Sequence, residues 1–145
     1  MAGDERAWEC IARQTGAAMV KTVDQFVGAL LALQFLGLRS RPTQQVVLFG
    51  NGGGTSVLAA DAFAECGLDV APFRGEVLER LEALKLPPGT SVANPIDAPV
   101  ATLQEQDGRV ANRILDIVYG HAAPDALVMH INLAAFVGRD RKSVV

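Results

Sequence analysis

Aromatic residues make up only 6% of this sequence: one Trp, one Tyr and six Phe among 145 residues. So few π-faces argue against a surface on which nucleic-acid bases stack. A basic excess is missing too. Thirteen Lys and Arg stand against sixteen Asp and Glu, a net charge of −3 with a pI near 5.3. Without surplus cations to neutralise phosphates along a duplex, no nucleic-acid partner is expected. Cysteine is scarce: Cys10 and Cys66 are too few for a disulfide framework and lack CxxC spacing. They read as small apolar residues of a reducing compartment. No apolar run is long. The longest, from Phe26 to Leu38, contains Gln34 and falls short of the ~20 residues that a membrane-spanning helix needs. Met1-Ala2-Gly3-Asp4-Glu5-Arg6 lacks the basic-then-apolar order of a signal peptide. The expectation is a cytoplasmic protein with no membrane partner.

What is present is a core. Half the residues are hydrophobic, mean hydropathy is +0.23 and 20% are charged, which excludes a disordered chain. The length suits about one domain of ~100–200 residues.

Along the chain, helix and strand alternate. Asp4 to about Gln14 carries Trp8, Ile11 and Ala12 on one face, and Gly16 stops it. Ala18 to Lys21 is a short strand candidate. Thr22-Val23-Asp24-Gln25 has capping-box spacing and opens a helix to about Leu36, with Phe26, Val27, Leu30, Leu31 and Leu33 directed inward. Gly37 and Arg39-Ser40-Arg41-Pro42-Thr43 form the only obvious linker. Val46-Val47-Leu48-Phe49 is continuously apolar, as in a strand covered on both faces. Gly50-Asn51-Gly52-Gly53-Gly54 follows, then a helix from Thr55 to Cys66. Further strands are expected at Leu68–Phe73, Ser91–Ala93 and Ala126–Leu133, with helices at Glu76–Lys85 and Gln104–Tyr119. This alternation predicts an α/β fold with a parallel sheet.

The segment with chemistry in it is the glycine-rich turn between the first strand and its helix. Glycines let the backbone turn tightly, and the free amides of the helix N-terminus then point outward beside the positive end of the helix dipole. That pattern predicts an anion site, most naturally for a phosphoryl group, formed by Asn51, Gly52, Gly53, Gly54 and Thr55, with Ser56 as a further hydroxyl. Its bland alternative is close packing of helix on strand. A P-loop would need lysine where Gly54 precedes Thr55, which argues against a Walker-type kinase or ATPase. A dinucleotide fingerprint fails at its last glycine and lacks the acid at the next strand tip, Ala71-Pro72-Phe73-Arg74. Arg74 leaves an NADP-dependent reductase as a weaker alternative.

Leu48-Phe49-Gly50-Asn51-Gly52-Gly53-Gly54, Leu58-Ala59-Ala60-Asp61-Ala62, Gly67-Leu68 and Asn94-Pro95-Ile96-Asp97, in that order, resemble the nucleoside-diphosphate-forming acyl-CoA synthetases. This is the superfamily of ADP-forming acetyl-CoA synthetase and succinyl-CoA synthetase. The resemblance implies a flavodoxin-like, three-layer α/β/α ligase-CoA domain over 44–145, truncated at its C-terminus. It implies that 1–40 is a helix–strand–helix tail of a preceding phosphohistidine domain. The implied reaction makes acyl-CoA from a carboxylic acid, CoA and ATP or GTP through a phosphohistidine. ADP or GDP is released, and Mg is bound at a nucleotide site outside this chain. The helix after Gly52 would be one of two that aim their N-termini at the phosphohistidine. Implied partners are neighbouring domains or subunits, an oligomeric assembly and a small acyl substrate. The family's histidine lies in a Ser-His-Thr-Gly segment upstream of a stretch like Ala2 to Trp8, so no catalytic residue is assigned here. A non-catalytic CoA- or nucleotide-sensing module, as in acetyltransferase fusions, is the alternative.

Other polar residues carry less. His121 follows Gly120 at a helix end and His130 ends a strand. Neither has acids at metal-ligand spacing, so both read as structural and no metal site is expected. Asp61 lies on a helix apolar nearly all round, where a charge needs solvent or a partner. Asn94 and Asp97 follow a strand end, where ligands of open α/β sheets gather, although Asn-Pro and Asp also shape turns. Arg139-Asp140-Arg141-Lys142 reads as a solvated tail.

Overall fold

The computed structural model describes residues 4–36, 41–132 and 134. The chain divides into two compact units, Met1–Pro42 and Thr43–Val145. Part of the expected linker (Gly37, Arg39 and Ser40), Leu133 and the Arg139–Lys142 run lie outside the described residues.

The first unit contains helices α1 (Glu5–Thr15) and α2 (Val23–Phe35). Asp4 caps α1 by accepting from the Arg6 amide, and Gly16 closes it. Half of the expected capping box at α2 forms: Thr22 Oγ1 accepts from Gln25 N–H at 3.1 Å. Gln25 Oε1 reaches one residue further back than the usual box, to Lys21 N–H at 2.8 Å. Ala18–Lys21 is not a strand but the connection between the helices, with no strand partner among the described residues. The expected inward faces are also corrected. Trp8, Ile11, Phe26, Val27, Leu30, Leu31 and Leu33 are each about half exposed or more, and only Ala12 is buried. Two short helices enclose too little volume to form a core of their own.

In the second unit, β1 (Val46–Gly50) lies between β2 (Ile96–Asp97) and β3 (Ala126–His130), both parallel to it. All five β1 residues are buried, as the continuous apolar run requires. Val47 and Phe49 join Leu81, Ile96, Ala98, Val110, Ile114 and Val118 in one core. That core sits beneath α4 (Gly75–Glu82) and α6 (Arg109–Ile117). Val46 and Leu48 are equally buried outside that cluster and alternate to the other face, toward α3 (Gly53–Glu65), which packs on β1. The result is a parallel α/β sheet flanked by helices.

Three expected elements differ. Leu68–Phe73 gives only an isolated bridge, Gln45 to Asp69, and Ser91–Ala93 gives only an antiparallel bridge from Ser91 to Asp97. The predicted Gln104–Tyr119 helix is broken. A short α5 (Val100–Gln104) precedes Gln106, Asp107 and Gly108, all at positive φ, before α6 begins.

Candidate functional site

β1 ends at Gly50, and the chain turns through Asn51 and Gly52 before α3 begins at Gly53. Gly52 has φ 141° and ψ 89°, a conformation closed to residues with a Cβ. Among the described residues no side chain caps α3, and the first backbone bond runs from Ser56 N–H to Gly52 O at 3.0 Å. The amides of Gly53, Gly54 and Thr55 have no partner among the described residues. An uncapped helix start leaves such amides pointing along the axis with the positive end of the dipole.

The row of the sheet at Gly50 builds the floor of this turn. Gly50 is in register with Asp97 on one side and His130 on the other. Side chains in register project to the same face, so an acid and a base flank a position that has no side chain. Asp97 Oδ1 accepts from Gly52 N–H at 2.6 Å. Its Oδ2 lies 3.0 Å from where a Cβ on Gly53 would stand. His130 Nε2 is 2.8 Å from Ser56 Oγ, and Ser56, at 3% exposure, is buried in the first turn of α3. A Cβ on Gly50 would collide with the His130 carbonyl and approach its ring to 2.5 Å. Asn51 is turned inward, its Oδ1 accepting from Asn132 N–H at 2.8 Å.

Of the residues singled out in the sequence, Gly52, Gly53, Gly54, Thr55 and Asp97 come together at this turn. Asn51 supports it from below. Asn94 is elsewhere, along the β1 edge. Its Oδ1 accepts from Leu48 N–H at 3.0 Å, and its Nδ2 donates to Val46 O at 3.1 Å and Ala71 O at 2.9 Å. His130 was legible only as a strand-end histidine; its pairing with Ser56 depends on a register 74 residues away in sequence. Asp61 is exposed, which resolves the cost of its charge. Cys10 and Cys66 are exposed free thiols rather than packed apolar residues.

Arg74 is the residue before α4 and lines a cleft of about 270 Å³ with Val46, Phe73, Val77, Asn94 and His121. On α4, the Arg80 guanidinium bonds Glu76 at 2.7 Å. That hydrogen bond and charge, with His121 at 3.5 Å, hold the Glu76 carboxyl below its ordinary value. Among the described residues no group of three or more His, Cys, Asp or Glu side chains is placed to hold a metal ion. No described helix is long and apolar enough to cross a membrane.

No protein-family model matches the chain. It is 30% identical over 116 residues to the alpha subunit of acetate–CoA ligase (ADP-forming) II from Pyrococcus furiosus, covering 79% of this chain and 24% of that one. It is 32% identical over 98 residues to acetate–CoA ligase (ADP-forming) I from Archaeoglobus fulgidus, covering 67% of this chain and 13% of that one. The chain thus spans under a quarter of the length of these relatives. A solved acetyl-coenzyme A synthetase 1 from Ca. Korarchaeum cryptofilum, in complex with phosphate and ADP, has a similar fold. Its TM-score is 0.59 at 23% identity, over 90% of this chain and 34% of that one, and the apo form matches equally.

Proposed function

We propose that this chain, a relative of the ADP-forming acetyl-CoA synthetases, is part of an acid–thiol ligase in which the α3 N-terminus stabilises a phosphoryl group in transit. The parent reaction would form acyl-CoA from a carboxylic acid, CoA and a nucleoside triphosphate through a phosphohistidine contributed from outside this chain. The observation that carries this reading is the set of amides at Gly53, Gly54 and Thr55, above the end of β1, that find no partner among the described residues. Three N–H donors and the helix dipole match the oxygens and the charge of a phosphoryl group. Placement at the carboxyl end of a parallel strand is where such sheets gather ligands. The Korarchaeum relative in fold, which was solved with phosphate and ADP, adds support.

Each residue has a definable task. Gly52 makes the turn, and Asp97 holds its amide so that the next three remain directed outward. Ser56 fastens the turn to His130 at the end of β3, and Asn51 fastens it to Asn132 just beyond that strand. ATP or GTP would supply the phosphoryl group and CoA would accept the acyl group. Mg would sit at a nucleotide site beyond these residues.

Gly53→Val in the complete enzyme is the direct test. Its side chain would stand against Asp97 Oδ2 and disturb the first turn of α3. Labelling of the histidine by γ-labelled nucleoside triphosphate is expected to be lost. Labelling at the unaltered level would sink the reading.

A further inference from the structure

The geometry points to His130 as a positioning residue that sets both the direction and the charge of the α3 first turn, making anion affinity there rise as the imidazole takes a proton. This rests on the anion-site reading above and adds a regulating group to it.

The argument starts from the row Asp97–Gly50–His130. Adjacent strands lie about 4.8 Å apart, so the two flanking backbones are roughly 10 Å from each other, with the glycine between them. The missing Cβ at Gly50 is what admits the imidazole over β1. From there Nε2 meets Ser56 Oγ at 2.8 Å, and the same hydroxyl lies 3.4 Å from Gly52 O.

That hydroxyl has a partner for either charge state of the ring. With neutral imidazole protonated at Nδ1, Ser56 O–H donates to Nε2. When both ring nitrogens carry protons, Nε2–H donates to Ser56 Oγ and the serine hydrogen turns to Gly52 O. The anchor of α3 therefore survives protonation while one positive charge is added beside the turn. A cation there reinforces the positive end of the helix dipole, and histidine is the side chain that ordinarily changes charge in the neutral range. Charged groups on the packed elements are Asp97 at the end of β2 and Asp61 and Glu65 farther along α3. Asp97 is present with or without His130, so comparing the two proteins isolates the contribution of the imidazole.

Sulfate is the probe, because it does not titrate in this range whereas phosphate does. Binding of sulfate to the 145-residue chain is followed through the Gly53, Gly54 and Thr55 amide resonances at about pH 5 and about pH 8. Affinity is expected to be several-fold, up to about tenfold, higher at the lower pH. In His130→Gln, whose amide retains a bond to Ser56 without a titrating group, the difference is expected to vanish. An equal pH ratio in both proteins overturns the proposal but leaves the anion site standing. No sulfate response at either pH overturns both. The unaltered chain gives a second readout that no folding defect can obscure. Linkage is reciprocal, so sulfate must raise the titration midpoint of the His130 ring. A midpoint that stays in place overturns the proposal.

Discussion

Replacing Asn94 tests whether one side chain substitutes for a length of strand. Its amide bonds Leu48 N–H, Val46 O and Ala71 O, and the residue is only 5% exposed. Asn94→Ala strips all three backbone groups of their partner at once. Each buried polar group left unpaired costs about 1–3 kcal/mol, with water entering the opened edge holding the value toward the low end. Asn94 also sits at φ 71°, where alanine pays about 1 kcal/mol more than asparagine, which tolerates this region. The sum is about 4–5 kcal/mol, a large part of the ~5–15 kcal/mol that holds a domain together. Asn94→Asp separates hydrogen bonding from shape. The carboxylate still accepts from Leu48 N–H, but it turns an anionic oxygen toward the carbonyls of Val46 and Ala71. Near neutral pH it is expected to be at least as destabilising as alanine, and to recover partly in acid as the carboxyl regains a donor. Urea denaturation of the chain, followed by far-UV circular dichroism, reads both. An alanine variant within about 1 kcal/mol of the parent, or an aspartate variant as stable as asparagine, would refute the reasoning.

Two further outcomes follow from the geometry. Gly50→Ala places a Cβ against His130, so stability should fall by about 1–3 kcal/mol and the His130 ring should leave Ser56. Denaturation together with the imidazole chemical shifts would show it, and an unperturbed ring would contradict the close approach. Arg80→Ala should raise the Glu76 titration midpoint toward the ordinary carboxylate value, since Arg80 is the main cause of its depression. Glu76 is lowered in the folded chain, so its contribution is present above the unfolded value and lost as pH falls through the folded one. Carboxyl resonances followed through an acid titration would decide the matter, and an unmoved midpoint would refute it.

What could be read in the amino-acid order was whatever depends on neighbours. The unbroken apolar run at Val46–Phe49, the glycine turn and the Thr22–Gln25 box all appear where local chemistry places them. Leu68–Phe73 looked like a strand because its residues suit one, yet a strand needs an edge. That edge of β1 is shared among three occupants: Asp69 at its start, the Asn94 amide in its middle and β2 at its end. No local pattern announces that a side chain will stand in for a backbone. The candidate site divides the same way. Its donors are consecutive in sequence and therefore visible, whereas Asp97 and His130 reach it only through the register of strands 45 and 74 residues distant from their bonding partners. The inward faces assigned to α1 and α2 failed for another reason. Periodicity shows which side is apolar but not whether enough chain is at hand to cover it.

The fastening of Gly52 by Asp97 has a consequence for how a ligand would be met. A glycine-rich loop left free would have to give up its conformational freedom at the moment of encounter, and binding would be weaker and slower by that amount. Here the Asp97 carboxylate on β2, the Ser56–His130 pair on β3 and the Asn51 bond to Asn132 just after β3 hold the turn before anything arrives. Recognition at such a turn would be lock-and-key: the receptor stands ready, and discrimination would rest on the shape and charge of the visitor.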